Sequence, residues 1–116
     1  MAYTVLTAQP VTISGLVPSY AAATLTDGDQ FRNSGKEFIH VINGGGSPCV
    51  VTVPTPATIK GLTIQDKTVS VAAGTDRMIG TFDPGLYNNP AGGTDAGYCY
   101  VTYDQVTTVT VAVIRP

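Results

Sequence analysis

Charge is scarce in this sequence. Aspartate, glutamate, lysine and arginine make up 12% of the 116 residues, against about 25% in an average soluble domain. None of them occurs before Asp27. A surface this poor in charge is weakly protected against association, so much of it is expected to be covered by partners or by other copies of the chain. The net charge is −2, and Lys36, Lys60 and Lys67 are scattered rather than clustered. A nucleic-acid footprint needs a basic stripe, and no such partner is expected.

The residues that carry chemistry are equally few. Histidine occurs once, at His40, so a Ser-His-Asp triad would have to use it. His40 sits between Ile39 and Val41 in an apolar run and reads as a satisfied core or interface histidine. Cysteine occurs twice, at Cys49 and Cys99, without the short C-x-x-C spacing of a zinc site. The pair is expected as free thiols in a chain made in the cytoplasm. Asp27-Gly28-Asp29 opens like a calcium loop but lacks the later oxygen ligands and closing glutamate, and reads as an Asx-type turn. Gly44-Gly45-Gly46 is followed by no Lys-Ser/Thr and no helix, so it is a loop and not a phosphate cradle. Tryptophan is absent. The tyrosines Tyr98 and Tyr100 share a strand face and raise the question of a sugar platform, but packed or interfacial tyrosines are the preferred reading. No catalytic residue, metal or cofactor is expected.

Long apolar runs are missing too. The uncharged stretch 1–26 is interrupted by Pro10, Gly15 and Pro18, so no transmembrane helix and no membrane partner is expected. The opening MAYTVLTAQP has no basic n-region or continuous apolar h-region, and no signal peptide is expected. No segment of ten or more residues carries a helical period.

What is abundant is threonine (17) and valine (14), which favour pleated strands. Residues 38–42 and 49–53 are compact β-rich runs around the turn formers at 43–48, and read as a central hairpin. Residues 98–103 and 106–114 read as a second hairpin around Asp104-Gln105. A short strand interrupted by Gly61 is expected over 59–64, another over 68–71 with Val69 and Val71 facing in, and a mobile loop over 88–97. Short strands, Gly/Pro turns and no helix point to an all-β fold, an antiparallel β-sandwich of jelly-roll kind, over residues 23–116. Residues 1–22 are an N-terminal arm or an edge strand.

Between residues 24 and 114 the chain resembles small β-rich proteins encoded among tailed-bacteriophage head genes. The resemblance is carried by Asp27-Gly28-Asp29-Gln30-Phe31-Arg32-Asn33, by residues 35–44, by Gly61-Leu62, residues 67–71, Ala73-Gly74, Ile79-Gly80 and Tyr87-Asn88, and by the closing run 106–113. It implies a non-enzymatic virion structural protein of the capsid decoration, or cement, type. Its partners would be the major capsid protein and copies of itself, as a trimer or dimer, on the capsid surface of a virion assembled in the host cytoplasm. It transfers no catalytic residue. A carbohydrate- or receptor-binding β-sandwich, and a head-completion or tail component, are the competing classes. For a decoration protein, Val11, Ile13, Leu16 and Val17 in the uncharged N-terminal stretch are the candidate capsid-docking residues; otherwise 11–16 is simply the first strand of the sandwich.

Overall fold

Runs in which every second residue is valine, isoleucine or phenylalanine bury one face most completely as strands, and in the computed structural model they are strands. Residues 3–25, 28–56, 58–89 and 96–116 are described, Thr58 and Ile59 by their backbone alone. The first sheet is built from β1 (Thr4–Leu6), β4 (Asp29–Arg32), β11 (Tyr98–Tyr103), β6 (Cys49–Val53) and β9 (Lys67–Val71), in that order. The second runs β10 (Asp76–Ile79), β5 (Phe38–Asn43), β12 (Val109–Arg115), β2 (Gln9–Pro10), and β3 (Ala21–Ala22) also pairs with β12. Most neighbours are antiparallel; β1 on β4 and β2 on β12 are parallel. A small hairpin of β7 (Thr58–Ile59) and β8 (Leu62–Thr63) stands apart.

The two inner faces meet in one core. Phe31, Val51, Val71 and Val101 from the first sheet pack with Ile39, Val41, Val111 and Val113 from the second, all fully buried. Each such side chain contributes about 1.5–3 kcal/mol relative to exposure. Of the strand expected over 106–114 only the part from Val109 onward forms; there Val109, Val111 and Val113 point into the core, while Ala112 and Ile114 on the other face are covered as well. Val71 is buried and Val69 half-buried, as expected. The fold is the all-β sandwich that composition and periodicity predict. Its jelly-roll character lies in the connections: β4 to β5, β5 to β6, β9 to β10, β10 to β11 and β11 to β12 all change sheet.

These crossings correct both expected hairpins. Strands β5 and β6 do not pair with each other, nor do β11 and β12. A hairpin and an arch between sheets show the same sequence pattern, two alternating runs around a Gly-rich loop. The available edges decide between them. β5 finds β12 over six registered pairs, and β6 finds β9 over five. The short strand expected over 59–64 breaks at Gly61, as expected, but into two strands of a hairpin. Lys60 (φ 51°) and Gly61 (φ 79°) make the paired left-handed turn that closes a two-residue hairpin.

Two asparagines tie the sandwich at its ends. At one end the crossings 44–48, 72–75 and 104–108 converge on Asn43, which is fully buried. Its Nδ2 donates to Ser47 O (2.8 Å) and Val71 O (3.0 Å), and its Oδ1 accepts from Gly45 N (3.0 Å). At the other end Asn33 Nδ2 donates to Phe82 O and Asn88 Oδ1, and Asn88 Nδ2 donates back to Asn33 O. A one-turn helix α1 (Pro84–Tyr87), capped by the Asp83 carboxylate on Gly85 N, leads into this knot. The loop expected over 88–97 falls largely on residues 90–95, outside the described residues. The expected turn at 27–30 begins on Asp27, also outside them; Asp29 and Gln30 open β4 and are buried.

Candidate docking surface

The uncharged N-terminal segment is laid along the edges of both sheets. β1 extends the first sheet, the chain crosses at Thr7–Ala8, and β2 and β3 share the outer edge of β12, pairing at Ile114–Arg115 and at Thr110–Val111. Residues 11–20 leave that edge and return to it, so they form a loop closed at its base. Gln9 clamps the base: its Nε2 donates to Ser19 O and its Oε1 accepts from Ser19 N, both at 2.8 Å. Val11 N donates to Arg115 O at 2.8 Å. At the tip Gly15 N donates to Thr12 O at 2.9 Å, and Gly15 takes φ +92°, which a residue with a Cβ adopts only with strain.

Three of the four candidate docking residues are exposed here. Ile13 is 106% exposed, Val17 92% and Val11 51%, while Leu16 is half-buried. No strand forms over 11–16. Single exposed aliphatics are ordinary on a protein surface. Here they lie on one loop, and no charged residue stands among the residues from Tyr3 to Leu25.

His40 anchors this loop from below. On β5 it faces away from the core, opposite Ala112 of β12 and Met78 of β10. Its Nε2 lies 2.5 Å from Asp76 Oδ2 and its Nδ1 lies 2.7 Å from the Tyr20 hydroxyl. A carboxylate only accepts, so Nε2 carries the proton; in the neutral ring Nδ1 then accepts from Tyr20. Both ring nitrogens are occupied, and Tyr20 at the loop's end is held edge-on over the imidazole. Neither Tyr20 nor Asp76 stood out in the sequence, because their partnership spans two sheet pairings.

The outer face of the first sheet carries the tyrosines. Tyr3 stacks on Tyr100 with centroids 3.7 Å apart, and the Arg32 guanidinium lies 5.4 Å from the Tyr98 ring centre. Both cysteines are free and fully buried. Among the described residues no group of three or more acidic, histidine or cysteine side chains is placed to hold a metal, and no helix is long and apolar enough to cross a membrane.

Burial pushes the Cys99 thiol from 9.0 up to about 12, which sets an alkaline limit on stability. Below pH 9 both the folded and unfolded thiols hold their proton, and the contribution is intact. Above it the unfolded chain gives up the proton first, so stability falls until the folded thiol ionises near 12. The expected slope is about 1.4 kcal/mol per pH unit. Urea denaturation at pH 8 to 10 should show this decline, and Cys99→Ala should make it shallower by that amount. An unchanged slope would contradict the assignment.

The chain matches no family model, no curated protein and no solved structure. The fold defines its class, a small two-sheet β-sandwich; the phage-head resemblance rests on the sequence motifs alone.

Proposed function

We propose that this chain is a non-enzymatic structural protein of the capsid decoration type, which docks on a shell of major capsid protein through its 11–17 loop. The observation that carries the reading is the loop itself. Ile13 and Val17 stand almost wholly in water on an uncharged excursion whose base is clamped by Gln9 and Ser19 and pinned through Tyr20 to His40. A loop ordered in advance loses little entropy on docking. A decoration protein works in many copies of a modest interface across the seams of a shell, and low surface charge suits it. Assembly of the chain as a trimer or dimer belongs to the same reading.

Burying Ile13 and Val17 is worth about 3–6 kcal/mol together, or roughly 10²–10⁴-fold in affinity. The double variant Ile13→Asp/Val17→Asp, mixed with phage heads assembled without the protein, should therefore bind at least 100-fold more weakly. Both side chains are exposed, so its melting temperature should match that of the parent. Heads decorated as well by the variant as by the parent would remove the loop from the mechanism. Failure of the parent to bind any such head would remove the function. Light scattering should give a trimer or dimer; a strict monomer both free and on the particle would end that part of the reading.

A further inference from the structure

Two of the six cationic side chains line one groove. Arg32 ends β4 and Arg115 ends β12, so the cations come from different sheets, at the side where Thr7–Ala8 crosses between them. The groove holds about 320 Å³, at the small end of ligand sites and about right for one sugar ring. One wall is apolar, from Val5, Leu6 and Ala8; Tyr98, Ser34 and Glu37 supply aromatic and polar groups. Among the described residues neither arginine has an ion-pair partner. Arg32 is positioned by the Tyr98 ring, a contact that restrains the guanidinium without consuming its donors.

The charge balance narrows the ligand. Glu37 is the groove's acid. Burial alone would raise its pKa, but hydrogen bonds from Ser34 N and Ser34 Oγ outweigh this and hold it below the ordinary carboxylate value. It therefore stays ionised, and with Arg32 and Arg115 in the same lining the groove carries a net charge of about one positive unit. One carboxylate balances that, and guanidinium groups bind a carboxylate through paired hydrogen bonds. A phosphate-rich chain would find no further cations to follow. The apolar wall asks for a ring face beside the anion; the Ser34 hydroxyl, which donates to both Glu37 oxygens (2.8 and 3.1 Å), keeps lone pairs that can accept from a ring hydroxyl.

We propose that this groove binds a carboxylated pyranose, a sugar of the uronic or sialic acid kind, with its carboxylate on Arg32 and Arg115 and its ring against the Val5–Ala8 wall. No residue of the 11–17 loop lines the groove, although the Arg115 carbonyl holds the base of that loop, and the test below reads sugar binding separately from capsid docking.

The full chain would be titrated, by calorimetry and by NMR of the arginine Nε–H signals, with methyl β-D-glucuronide and methyl α-N-acetylneuraminide. Methyl β-D-glucoside, acetate and inorganic phosphate are the controls. At least one acidic glycoside should bind ten times or more tightly than every control and shift the Nε–H signals of Arg32 and Arg115. Arg115→Gln and Arg32→Gln should each weaken that binding tenfold or more without changing the melting temperature. No binding of either acidic glycoside would overturn the proposal. So would glucoside binding as tightly, which removes the need for the carboxylate. Equal binding of acetate or phosphate would show a bare anion site, and unaltered affinity in both arginine variants would place the ligand elsewhere.

Discussion

Replacing Asn43 by alanine should lower stability by about 3–4 kcal/mol, enough to shift the melting temperature by about 12–16 °C in a domain of this size. The expectation follows from where the amide sits. Its side chain ties the 44–48 crossing to the end of β9, where the 72–75 crossing begins: it satisfies the carbonyls of Ser47 and Val71 and the N–H of Gly45. Its backbone N–H also donates to Thr75 O, and its carbonyl accepts from Gly74 N. Water can reach Ser47, which is exposed, but not the carbonyl beside the fully buried Val71. Alanine would leave that acceptor and the Gly45 donor without partners. Asn43→Asp is the informative companion. It keeps the acceptor for Gly45 but turns a second oxygen toward two carbonyls, so at pH 7 it should be at least as damaging as alanine. Chemical denaturation of the three proteins measures this, and a loss below about 1 kcal/mol in the alanine variant would show that the loops hold together without the amide.

The second large effect is expected from Tyr103→Phe. Asp29 is fully buried on β4, and its Oδ2 accepts from the Tyr103 hydroxyl at 2.8 Å and from Thr24 N at a longer 3.4 Å. Its Oδ1 has no hydrogen-bond partner among the described residues. The carboxylate thus leans on one short bond, and the phenol in turn is held protonated, its pKa pushed well above the ordinary value by burial and then by the Asp29 charge. Removing the hydroxyl strips a buried charge of its best donor, which costs about 3 kcal/mol, whereas a neutral hydrogen bond would cost about 1 kcal/mol. A double-mutant cycle separates the two: in an Asp29→Asn background the same Tyr103→Phe change should cost only about 1 kcal/mol. Equal costs in both backgrounds would mean that the charge plays no part.

Tyr103 shows how far sequence reading reaches. It is legible as one of a run of strand residues, on the opposite face from Tyr98 and Tyr100, but not as a core residue. That its hydroxyl would find Asp29 was not legible, since the two are brought together only by the antiparallel pairing of β11 with β4. In sequence Asp29 itself reads as part of a turn, because Asp-Gly-Asp is turn chemistry. His40 was legible as a satisfied histidine, but its partners Tyr20 and Asp76 were not. The candidate docking residues Val11, Ile13, Leu16 and Val17 stood out through the absence of charge around them. Their presentation on a clamped loop depended on Gln9 and Ser19, ten residues apart, meeting at the edge of β12. The groove between Arg32 and Arg115 was invisible for the same reason, its two cations being more than eighty positions apart.

What the chain's own pattern determined is the class of structure: strands in place of helices, the alternation of faces along them, and a core of valine, isoleucine and phenylalanine. These are local properties, set by side-chain branching and by a period of two that every strand repeats whatever it pairs with. What only the tertiary structure decided is which strand lies beside which. Residues 38–53 and 98–114 carry the signature of hairpins and form arches between sheets: β5 pairs with β12 over six residues and β6 with β9 over five, not with each other. Hydrogen bonding along a strand edge is nearly blind to sequence, so pairing is settled by the burial of both faces at once, and that is a property of the whole sandwich.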